Sequence, residues 1–242
     1  MIHIFLKEIN SFLNSLIAYI VIGVFLTAIG LLMWVFPETS VLDYGFADMD
    51  TLFSFGPYVF LFLIPAITMR SFAEEKKSGN IELLFTSPVT RFQIIFGKYL
   101  AGFALVLISL IPTIIYYFSI SNLANPVGNI DTAGVIGSYI GLALLGGVFT
   151  SIGIFTSSIT ENQIIAFILS VFTCFILYTG FSSIAGISTW SGSATTIEQF
   201  GILYHYIAIS KGLLDSRNLI YFLSVISIML LLTNLSLAAK KW

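Results

Sequence analysis

Six uninterrupted apolar runs constrain this chain more than any other feature: Leu16–Phe36, Leu52–Met69, Tyr99–Ile120, Gly134–Ser157, Ile164–Ile184 and Leu219–Ala239. Each holds 18 to 24 residues, enough at about 1.5 Å per residue to cross roughly 30 Å of hydrocarbon as a helix. Lipid offers no water to the backbone, so a crossing segment must satisfy its own N–H and C=O groups or close into a barrel. The runs are too long and unbroken for barrel strands, which leaves helices. With 57% apolar and 9% charged residues and a mean hydropathy of +1.00, little of the 242 residues remains for a soluble domain. The expected fold is an all-α polytopic membrane protein with six transmembrane helices, a single transmembrane domain over residues 1–242.

Lysine and arginine set the expected orientation. An N-in, C-in arrangement puts Lys7, Arg70, Lys76, Lys77, Arg91, Lys98, Lys240 and Lys241 inside and leaves Lys211 and Arg217 outside, as the positive-inside rule requires. The first outer loop carries Glu38, Asp43, Asp48 and Asp50 without a basic residue. Thr90 with Gln93, and Thr160 with Gln163, have capping-box spacing at the starts of spans three and five. Pro126 and Gly128 mark a turn between spans three and four.

Two segments fit neither span nor solvated loop. Residues 1–15 place Ile2, Phe5, Ile9, Phe12 and Leu13 at helical spacing opposite Lys7, Glu8, Asn10, Ser11 and Asn14. That pattern predicts an amphipathic helix in the inner interface. It is not a cleavable signal peptide, because its apolar region starts late, runs too long and lacks a small-residue cleavage pattern. Residues 185–216 are too apolar for a loop and too interrupted to span, which predicts short outer-leaflet helices.

Several functions are disfavoured. The six runs contain no Asp, Glu, Lys, Arg or His, so an ion-coupled carrier lacks intramembrane groups to bind its ion. No phosphate-binding G-x-x-x-x-G-K-[ST] motif occurs. The two histidines, His3 and His205, are expected on opposite sides of the membrane, which excludes a two-histidine metal site within one chain. Cys174 lies in an apolar run and reads as an inert buried thiol. The expectation is a non-enzyme with no cofactor and no nucleic-acid partner. In span four, Gly137, Gly141 and Gly147 lie on a small-residue face for close helix packing, within the chain or against a second copy.

Between spans two and three, residues 70–98 form a cytoplasmic segment that opens on a charged patch, "RSFAEEKKSGNIELLFTSP". Gly79 ends one helix there, Asn80 is placed to cap the next, and Glu82 suits that helix's positive end. Ile81, Leu84, Phe85 and Pro88 follow at helical spacing. A solvated loop with topology-setting charges is the plain reading. Helices that present a docking surface to a soluble partner explain more of the pattern.

A six-helix permease with such a segment resembles the ABC-2 type family of ATP-binding-cassette transporters. The strings "RSFAEEKKSGNIELLFTSPVTRFQIIFGKYL", "NPVGNID", "ENQIIAF" and "ISKGLLDSRNLIYFLS" are most similar to the gliding-motility-associated permeases of Bacteroidota, and the likeness covers essentially the whole chain. The resemblance implies a permease subunit in the bacterial inner membrane. It also implies a coupling helix that docks a cytoplasmic ABC ATPase subunit, and pairing with a second permease copy or a related membrane subunit with an extracytoplasmic domain. It maps the coupling contact onto Glu74, Glu75, Lys76, Lys77, Gly79, Glu82, Leu83 and Leu84, with Glu74 and Glu75 meeting basic residues of the ATPase. His205, Tyr206, Lys211, Asp215 and Arg217 are then an outer gate, a partner contact or an interfacial anchor. A non-transporting scaffold using the same patch is the alternative from another class.

Overall fold

The computed structural model describes residues 2–81, 89–187, 194–212 and 215–239, and among these there is no strand. Among the described residues, six helices are long and apolar enough to cross a membrane: Leu16–Trp34, Asp50–Lys77, Arg91–Leu123, Thr132–Ile159, Gln163–Ala185 and Ser216–Ala239, here spans one to six. Span two is helical to Thr68, passes through turns, and resumes as Ala73–Lys77. The helix Ile2–Leu13 precedes span one, and two short helices, Ala194–Glu198 and Ile202–Ser210, precede span six.

Span four is the axis of the bundle. It packs against spans two, three, five and six and against Ile202–Ser210, and it is the most buried of the six. Its small residues permit this. A Cβ on Gly137 would lie 2.8 Å from the Ile209 carbonyl and 3.0 Å from Gly212 Cα. One on Gly147 would lie 3.0 Å from the Tyr99 hydroxyl, and one on Gly141 would press on Ile209 and Tyr206. These three glycines therefore bring neighbouring segments of the same chain into close approach. Span one, at the periphery, buries a single stripe, Ala18, Val21, Phe25, Ile29 and Met33, at the three- and four-residue spacing of one helix face. Phe25 stacks on Phe60 of span two at 5.0 Å between ring centroids.

Helix starts follow local chemistry. Thr90 and Gln93 form a complete capping box, with the Gln93 N–H donating to Thr90 Oγ1 at 3.4 Å and the Thr90 N–H to Gln93 Oε1 at 3.2 Å. Thr90→Ala removes a cap and is expected to cost about 1 kcal/mol in thermal unfolding, while Thr90→Ser restores it. Span five departs from the sequence expectation: its cap is Asn162, whose Oδ1 accepts from the Ile164 N–H at 2.9 Å, not a Thr160–Gln163 box. Thr160 Oγ1 instead accepts from Asn162 N–H. The shorter, more rigid Asn side chain next to the helix wins over the capping-box spacing. Asn80 and Ile81 are already helical, so Asn80 is not a cap.

The helices also overrun their apolar runs. Span three begins at Arg91 rather than Tyr99, because the capping box and not the edge of hydropathy starts it. Pro112 then breaks its hydrogen-bond ladder, leaving a 3₁₀ turn at Ile111–Thr113. Span five contains a π-turn over Ile176–Gly180 that directs Tyr178 into the core.

Candidate functional site

The early start of span three has a chemical consequence. Lys98 becomes its eighth residue, two turns into the helix and 3% exposed. A buried ammonium must be paired, and here two carboxylates meet it: Glu8 Oε1 and Glu75 Oε1, each at 2.8 Å. Its Nζ also lies 5.2 Å from the Phe72 ring centroid. One cation thus joins the N-terminal helix, the last turns of span two, and span three.

The last turns of span two are bolted on their other side to the end of span four. Phe72 and Ala73 N–H donate to Ser157 Oγ at 2.9 and 3.1 Å, and Ser157 Oγ donates to the Met69 carbonyl at 2.9 Å. Buried Lys76 donates from Nζ to the Ser158 carbonyl, a position where positive charge complements the helix's negative end. Arg70 donates to Ser15 Oγ at 3.0 Å and lies over the Phe12 ring at 5.1 Å. A recess of about 700 Å³ opens beside this junction, lined by Lys7, Glu8, Arg70, Glu74, Glu75 and Lys98 among others. Glu75 Oε2 is buried there without a hydrogen-bond partner among the described residues.

The residues singled out between spans two and three therefore divide. Lys76 and Glu75 are engaged within the chain, whereas Glu74 and Lys77 stand exposed, Glu74 at the recess. Gly79 turns the chain at a φ of +72°, a left-handed conformation that suits glycine. Glu82, Leu83 and Leu84 lie outside the described residues. Lys98 and Glu8 were missed as a pair because one looked like a loop charge and the other like the polar face of an amphipathic helix. The signal was present in the Thr90–Gln93 spacing, which already places Lys98 inside span three.

At the other end of the bundle the five expected residues separate into two places. His205 is held between Asn218 Oδ1 at 2.7 Å and the Gln199 carbonyl at 2.9 Å, and it stacks on Tyr221 at 3.9 Å. With exposed Asp215 and Arg217 it lines a cavity of about 1040 Å³. Asp215 Oδ1 also accepts from the Arg217 N–H at 2.9 Å, opening span six. Tyr206 is buried elsewhere and donates its hydroxyl to the Phe53 carbonyl at 2.6 Å. Burial pushes this phenol's pKa upward. Lys211 shares a smaller cavity with Tyr206.

Comparison with known families matches residues 37–239 to a family described as "ABC-2 family transporter protein". Among curated proteins, none matches the chain.

Proposed function

The chain belongs to the ABC-2 transporter family, a multi-pass membrane component of transport rather than a catalyst, and from that premise we propose that it is a permease subunit whose residues 69–81 receive the movement of a separate cytoplasmic ATPase. The supporting observation is the double attachment of this segment. Lys98 ties it to the N-terminal helix and span three, and Ser157 and Ser158 tie it to span four. A push on Glu74 or Lys77 then reaches spans two, three and four through buried contacts instead of being absorbed by a loose loop. The recess is acidic at Glu74 and at the unpartnered Glu75 oxygen, which suits a basic side chain of the ATPase. In this reading the end bearing residues 69–81 faces the cytoplasm, in agreement with the distribution of Lys and Arg.

The finer assignment is to the gliding-motility branch, as a subunit that pairs with a second permease copy or with a membrane subunit bearing an extracytoplasmic domain. The sequence strings around Glu74 and Lys211 support it. Cross-linking from a photoreactive residue tests the ATPase contact: the probe in place of Glu74 captures the ATPase, and the same probe in place of Ser54, at the opposite end, does not. Capture from both positions, or from neither, rejects the contact.

A further inference from the structure

A second cavity, of about 380 Å³, lies between spans two and five and the helix Ile202–Ser210, at the end away from the Lys98 junction. Its volume is within the range of small-ligand pockets. Three tyrosines line it: Tyr58, Tyr178 and Tyr206. The Tyr58 and Tyr178 rings meet edge-on, 5.8 Å apart at 85°, and Tyr178 and Tyr206 meet 6.3 Å apart at 65°. Such a corner of ring faces attracts a cation that has shed part of its water. Asp50 adds a carboxylate to the same lining and Lys211 an ammonium. Both are exposed, and neither makes an ion pair among the described residues.

Tyr178 supplies the independent observation. It is 2% exposed, yet its hydroxyl has no hydrogen-bond partner among the described residues, although it borders this cavity. The hydroxyl is not closed off from solvent, so it stays open to a partner inside the cavity. The Tyr206 hydroxyl differs, being satisfied by the Phe53 carbonyl, which leaves its ring as a fixed wall.

We propose that this cavity binds a zwitterionic headgroup, with its ammonium against Asp50 and the tyrosine rings and its phosphate or carboxylate within reach of Lys211 and the Tyr178 hydroxyl. The ligand could be carried on a lipid or be free in solution, since the same pair of charges serves both. The site is separate from residues 69–81, so binding there can be measured apart from ATPase docking.

The test is binding by the intact chain in nanodiscs, measured without any ATPase. Wild type is expected to retain phosphatidylethanolamine over phosphatidylglycerol. Asp50→Asn is expected to weaken that preference about tenfold, the effect of losing one charged partner. Tyr178→Phe keeps the ring packing and is expected to weaken binding about threefold. Lys211→Met separates the anion half from the ammonium half and is likewise expected to weaken binding. Soluble glycerophosphoethanolamine identifies the source: binding comparable to the lipid means that the headgroup alone is read, and binding of the lipid alone means a membrane-borne ligand. Equal retention of the two lipids with no binding of the soluble headgroup overturns the proposal. So does unchanged affinity in Asp50→Asn with the unfolding temperature intact.

Discussion

Lys98→Met is expected to destabilise the chain by about 3–5 kcal/mol, because it leaves two part-buried carboxylates facing each other with no cation between them. For a chain of this length, that corresponds to a fall of roughly 10 °C in the thermal midpoint in detergent. The cost belongs to the stranded charges more than to the loss of attraction. The triple variant Glu8→Gln, Lys98→Met, Glu75→Gln is therefore expected to recover most of the stability. A triple variant no better than Lys98→Met would mean that the ammonium is held mainly by packing against Phe72. The stability result also bears on the role of the junction. If Lys98 only supports the fold, the triple variant restores both stability and response to the ATPase; if it carries the coupling, stability returns and the response does not.

The second large effect is expected where span four crosses span two. A Cβ on Gly153 would overlap the Thr68 side chain, lying 2.7 Å from Thr68 Cβ and 3.2 Å from Cγ2. Thr68 cannot swing away, because it is 1% exposed and its Oγ1 donates to the Ile64 carbonyl at 2.9 Å. Gly153→Val thus forces backbone movement in a packed core and is expected to cost about 3 kcal/mol. Thr68→Ala in the same chain recovers part of the loss, since the Cβ–Cβ clash persists without the γ atoms. The readout is the fraction of folded protein surviving a temperature series. A Gly153→Val chain that survives like wild type would show that the two spans are free to separate.

The six spans were legible because bilayer crossing imposes a length and a composition that no other constraint mimics. Their ends were less so. Hydropathy stops at Tyr99, but span three starts at Arg91, since hydrogen bonds made by Thr90 and Gln93 decide where a helix begins. That shift of eight residues concealed the Lys98 cluster, because a lysine just outside an apolar run reads as a topology signal. The pairing of Lys98 with Glu8 joins residues 90 positions apart and depends on how the N-terminal helix folds back, which no local pattern encodes. Tyr178 was hidden differently: a π-turn re-aims it, and nothing in "FILYTG" announces a π-turn. The glycine face of span four could be read as a close-packing surface, while the segments it packs against, Ile202–Ser210 and spans three and six, emerged only from the fold.

The coupling role of residues 69–81 is the central claim, and ATP hydrolysis tests it most directly. The cognate ATPase would be assayed with the wild-type chain in nanodiscs and with Glu74→Lys/Lys77→Glu, two exposed positions whose reversal leaves the Lys98 cluster in place. Wild type is expected to stimulate hydrolysis, and the reversed pair to abolish most of the stimulation without lowering the chain's unfolding temperature. Stimulation undiminished by the reversal, or no stimulation by the wild-type chain, would contradict the coupling role.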